Sequence, residues 1–197
     1  MTNSLIVELE PPEKRRKGCD GENERHLTEA AVMLAYGLHL LETAPNLKTV
    51  EIHPDGEHGK RFGIASWLSK GGFTLTEARG KTDYCGRYVN GEKQIVVTCE
   101  SGKGDVFANT ENGTITAECK GGIVNTRHSG QVSRLRKGLC EAVGLLLTRP
   151  RTGRQFAVVP WTEATFRLAQ KMAPRAKEAG IEISLVKEDG RVIDVKP

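Results

Sequence analysis

The chain has 197 residues, 38% of them hydrophobic and 27% charged, and carries a formal net charge of +4 with a pI near 8.8. That length is enough for a full core and short for two independent domains, and an aromatic content of 5% argues against a stacking platform for single-stranded nucleic acid. No apolar run approaches a membrane span and the start Met1-Thr2-Asn3-Ser4-Leu5 lacks a secretory signal; the five cysteines at 19, 85, 99, 119 and 140 show neither a paired zinc spacing nor a disulfide framework, so a reducing cytoplasm is the expected setting.

Residues 1–23, with Pro11-Pro12 and Lys14-Arg15-Arg16-Lys17, read as a flexible basic arm ahead of a single domain over 24–197. A helix is expected over 24–41, where Leu27, Ala30, Ala31, Leu34, Leu38 and Leu41 recur at helical spacing, and Pro45 ends it. A second helix is expected over 57–70, stopped by Gly71-Gly72. Strands follow over 73–79, 84–89 and 94–100, the last two flanking a turn at Asn90-Gly91, and the hairpin 104–120 continues them as a meander. Val132, Leu135, Leu139, Val143 and Leu146 then mark a helix, Phe156-Ala157-Val158-Val159 a buried strand, Thr162 the start of a helix that Pro174 should kink, and 181–186 a last strand.

The hairpin 104–120 carries the chemistry. Asn112-Gly113 is the preferred pair for a type I′ turn, which places Glu111 opposite Thr114, Phe107 opposite Glu118 and Asp105 opposite Lys120. Alternation then puts Asp105, Phe107, Glu118 and Lys120 on one face and the apolar Val106, Ala108, Ala117 and Cys119 on the other. Two carboxylates and an ammonium gathered in this way suit a magnesium site for phosphodiester hydrolysis, because Mg²⁺ takes oxygen ligands and uses one or two carboxylates while keeping several waters. Asp105 and Glu118 would be metal ligands, the Cys119 backbone carbonyl a third, and Lys120 would orient a metal-activated water and offset charge on the phosphoryl oxygens.

An acid entering one strand and an acid-x-Lys on the next, here Asp105 and Glu118-Cys119-Lys120, resembles the PD-(D/E)XK nuclease superfamily, also called restriction endonuclease-like. Gly104 stands where that family often has proline. The resemblance, which spans roughly residues 55–195, implies an α/β fold with a central mixed sheet, a β-meander and flanking helices. It also implies a Mg²⁺-dependent (endo)deoxyribonuclease, with Mn²⁺ as a substitute, that leaves a 5′-phosphate. Related nucleases often bring a further acid from the helix before the first strand, which makes Glu57 a candidate ligand, although an acid at a helix start is also favoured by the helix dipole. Where several of them carry a glutamine or lysine on the helix after the motif, this chain offers Glu141.

DNA is the expected partner. Arg127, Arg134, Arg136 and Lys137 follow the motif closely, and Arg149, Arg151 and Arg154 cluster after the next helix; a solvated helix face is the plain alternative for any one of them. His53-Pro54-Asp55-Gly56-Glu57-His58 matches no strong metal-ligand spacing and reads as a surface turn. With no recognition domain in view, a second copy of the chain or a targeting partner would supply specificity. The main rival is a catalytically silent nucleic-acid-binding or structural protein of the same fold, and a third reading is an enzyme acting on a smaller phosphate substrate.

Overall fold

A computed structural model describes residues 4–55, 62–100 and 102–197. In chain order these form β1 (Ile6–Leu9), a 3-10 helix (Glu13–Cys19), β2 (Glu24–Leu27), α1 (Glu29–Thr43), β3 (Thr49–Ile52), α2 (Ile64–Lys70), β4 (Thr74–Ala78), β5 (Gly86–Asn90) and β6 (Lys93–Val97). There follow β7 (Val106–Thr110), β8 (Gly113–Cys119), β9 (Gly122–Ile123), α3 (Ser129–Leu147), β10 (Gly153–Pro160), α4 (Glu163–Glu178), β11 (Ile181–Val186) and β12 (Val192–Asp194).

The main sheet is mixed and has nine strands in the order β12-β11-β10-β8-β7-β3-β6-β5-β4. β7 pairs antiparallel with both β3 and β8, whereas β8, β10 and β11 run parallel. α3 and α4 are the crossovers that parallel neighbours require. α1 lies on one face, where Val106, Ala108, Ala117, Cys119, Phe156 and Val158 join its buried Ala30–Tyr36 stretch. The other face of β10 and β11 meets α3 and α4 through Leu139, Ala142, Leu146, Ala157, Val159 and Ile183. A strand covered on both sides is apolar at consecutive positions, which is why Phe156-Ala157-Val158-Val159 is plain in the sequence.

Several expectations need correction. Of the arm expected over 1–23, residues 5–19 are held in the fold: β1 pairs with β2, Leu5 and Cys19 are buried, and Arg15 binds the buried Glu24 through Nε at 2.6 Å and Nη2 at 3.0 Å. The first helix starts at Glu29 rather than at 24, because Thr28 Oγ1 accepts the Ala31 N–H at 3.2 Å and caps it, while Glu24–Leu27 is the middle strand of a small β1-β2-β9 sheet. The sheet is not a simple meander, since β3 inserts between β6 and β7 and runs parallel to β6. α4 continues unbroken through Pro174. Residues 56–61, which include the start of the expected second helix and Glu57, lie outside the described residues.

Candidate active site

The β7–β8 hairpin does not turn on Asn112-Gly113. Thr110 opposes Gly113, so Glu111 and Asn112 are the central pair, and only Gly113 has positive φ, at 114°. Thr110 explains the difference: its Oγ1 accepts the Asn112 N–H at 3.3 Å and donates to the Gly113 carbonyl at 2.7 Å, a local closure that competes with the type I′ turn. The register therefore moves by two residues, with Phe107 opposite Thr116 rather than Glu118. A shift of two preserves the faces. Val106, Ala108, Ala117 and Cys119 still point to the α1 core, and Asp105, one step before β7, comes level with Glu118 rather than with Lys120.

Asp105 is half-buried, and its Oδ2 accepts the Cys119 N–H at 2.7 Å. Burial, followed by the nearby Glu118 and Glu29 charges, pushes its carboxyl up to about 7 against the lowering effect of the Cys119 hydrogen bond and of Lys120. Because the N–H and C=O of a strand residue point to the same edge, the Cys119 carbonyl is also directed toward the Asp105 strand. The Cys119 thiol is buried in the core and pushed well above the ordinary thiol range, so it is no nucleophile.

Gly104 has φ of 101°, and a side chain there would meet Thr116 Cγ2 at 2.7 Å and the Ala117 carbonyl at 3.0 Å. Proline, held near −65°, cannot take that conformation, which accounts for glycine at this position.

Glu118 is 3% exposed, and its Oε1 accepts Arg149 Nε at 2.6 Å. Arg149 Nη1 also donates to the Gly102 carbonyl at 3.2 Å, so one guanidinium ties the buried acid to the segment leading into Asp105. Arg149, one of the basic residues expected to contact nucleic acid, is thus engaged by Glu118. Lys120 Nζ lies 3.5 Å from Glu29 Oε2 and 3.4 Å from Glu141 Oε1. Burial works to lower its pKa, but Glu29, Asp105 and Glu141 outweigh that and hold the ammonium above the ordinary lysine value.

Glu29 is the acid that the sequence did not single out. It is the first residue of α1 and reaches the site because Gly121 packs directly on the helix start: a Cβ at 121 would stand 2.4 Å from Glu29 N and 2.6 Å from the Thr28 carbonyl carbon. No local signal marks it, since an acid in the first turn of a helix is common for dipole reasons alone.

The basic residues divide. Gly138 packs on the Lys120 stem and Glu141 pairs with Lys120. Arg134 and Lys137, each four residues earlier, share that edge of α3, whereas Arg136 is rotated to the other flank. All three are exposed, and none forms an ion pair among the described residues. Arg127 is 81% exposed and contacts Asp20 at 3.1 Å. Arg154 belongs to Glu182, at 2.7 Å.

Four carboxylates (Glu29, Asp105, Glu118 and Glu141) thus stand around Lys120 and Arg149 among the described residues. No group of three or more acidic, histidine or cysteine side chains converges into a metal cage among those residues. A cation that keeps most of its waters would find oxygen ligands in Asp105, the Cys119 carbonyl and Glu118, the last already paired with Arg149. No described helix is long and apolar enough to cross a membrane. Comparison with protein-family models, with curated proteins and with solved structures finds no match.

Proposed function

We propose that the protein is a Mg²⁺-dependent nuclease that hydrolyses DNA phosphodiesters at Asp105, Glu118 and Lys120. The observation that carries the reading is the convergence of Asp105, just before β7, and Glu118 of β8 on one face, with Lys120 immediately after the end of β8. The order α1, β3, β7, β8, α3, β10, with β8 parallel to β10, also supports a restriction endonuclease-like core, as does an acid supplied by the preceding helix, here Glu29 in place of Glu57.

Asp105, Glu118 and the Cys119 carbonyl would hold the cation, for which Mn²⁺ is a substitute. When bound, it supplies Lewis-acid stabilisation of the phosphoryl oxygens and a more acidic water. Lys120 stays protonated between its carboxylates and offsets charge that builds on the phosphate. Arg149 holds Glu118 in orientation in its buried place. Arg134, Lys137 and Arg127 contribute phosphate contacts from the exposed edge of α3 and the loop before it.

One observation favours the silent nucleic-acid-binding reading: Arg149 already neutralises Glu118 and shields it from solvent. Incubation of supercoiled plasmid with the protein and Mg²⁺ separates the two. Nicking is expected in the wild type and falls at least about 100-fold in Asp105→Ala and in Lys120→Ala. Equal nicking in those variants removes the assigned site, and duplex binding with no nicking in Mg²⁺ or Mn²⁺ selects the binder.

A further inference from the structure

Away from these carboxylates, two of the five cysteines meet. Cys85 immediately precedes β5 and Cys99 follows β6, and the pairing of Gly86 with Val97 brings them to the same end of that hairpin. Their Sγ atoms are 3.0 Å apart, and Tyr84 Oη lies 3.4 Å from Cys99 Sγ. A disulfide bond is about 2.05 Å long, so closure asks for a movement of roughly one ångström. Cys85 is buried and Cys99 exposed, and both line an open groove of ≈ 860 Å³ together with Arg79, Lys81 and Lys103. Cys19 and Cys119 are buried and Cys140 lies on α3, so none of these duplicates the arrangement.

We propose that Cys85 and Cys99 are a reversible redox pair whose oxidant is a low-molecular-weight disulfide entering this groove. Cys99, the accessible thiol, releases its proton to solvent, and its thiolate attacks one sulfur of RSSR. That S–S bond breaks, and the departing RS⁻ takes up a proton as RSH. Cys85 then loses its proton and attacks the Cys99 sulfur of the mixed disulfide, forming the Cys85–Cys99 bond and expelling a second RSH. Two protein thiols are oxidised and one RSSR is reduced to two RSH. A reversible pair of this kind suits a reducing compartment, where protein disulfides are mostly transient and redox-sensing.

The bond would act on the segment that leads into Asp105. Between Cys99 and Asp105, the Gly102 carbonyl accepts from Arg149 and Lys103 Nζ pairs with Glu51 at 3.1 Å. Tying Cys99 to the start of β5 fixes the far end of that segment.

The test uses the full chain equilibrated with oxidised and reduced glutathione at a series of ratios, then acid-quenched, unfolded, alkylated and mapped by mass spectrometry. At oxidising ratios the expected product has three alkylated cysteines instead of five and a peptide joining residues 85 and 99 that dithiothreitol separates. Cys85→Ala, with its folding checked by circular dichroism, should stop at the glutathione adduct on Cys99, and Cys99→Ser should give neither product. Five alkylated thiols at every ratio, or a wild-type adduct on Cys99 that never resolves, would overturn the proposal. These readouts need no nucleic acid, so they stand or fall apart from the nuclease reading.

Discussion

The two halves of the nine-stranded sheet solve different burial problems. From β8 to β11 the strands run parallel beneath α1 on one face and α3 and α4 on the other, and every residue of 155–160 is buried. From β3 to β4 the apolar side belongs to the α1 core, while the reverse side presents Glu51, Arg87 and Thr98 to the open groove. β5 accordingly alternates buried Gly86 and Tyr88 with half-exposed Arg87 and Val89, and β4 is exposed at all of its positions. The candidate site occupies the seam. Asp105 enters β7, which borders the open half, and Glu118 stands on β8, the first strand of the covered half. Partial cover is what lets burial raise one acid toward neutrality while a cation or a phosphate still has an approach.

The contrast is broken most directly by truncation in the core. Leu139→Ala, at a fully buried position of α3, should cost about 2–5 kcal/mol in urea unfolding, against a change within about 0.5 kcal/mol for Leu75→Ala on β4; similar losses would mean that the two halves are equally packed. At the seam, Arg149→Met leaves Glu118 buried without its partner and should cost about 2 kcal/mol, most of which Glu118→Gln recovers in the same background; a double-mutant cycle checks the coupling. A third effect is one of pH. In chelator-treated protein, folded Asp105 keeps its proton up to about 7, whereas its ordinary value is 3.8. The folded state therefore binds the extra proton across that window, so stability falls as pH rises from about 4 to about 7 and levels off above it. Asp105→Asn should remove this part of the slope, which urea midpoints taken across the window would detect.

Features that depend on sequence neighbours were legible. The continuous apolar run of β10 and the helical spacing of α3 identify themselves, and the acids and lysine share a face because alternation survives a register shift of two. Features that depend on distant partners were not. β3 has only four residues and is stabilised by β6 and β7, which come much later in the chain. Charges at 14–17 suggest disorder until Glu24 and Glu10 are seen holding Arg15 and Arg16. Glu29, Arg149 and the meeting of Cys85 with Cys99 likewise follow from folding and not from spacing. The turn was misjudged for a local reason, since Thr110 captures the loop with its own hydroxyl.

The β2–β9 pairing has a temporal consequence. Arg25 N donates to Asn125 Oδ1 across 100 residues, and His26 pairs with Ile123. On the ribosome the stretch 6–27 can make its first two strands early, but the third is synthesised only after the whole β3–β8 portion has emerged. Until then the start of α1 lacks its contact with Gly121, and Glu29 cannot meet Lys120. Glu29, the earliest of the four clustered acids, thus waits for residues 120–123, some ninety positions later, before its surroundings are complete.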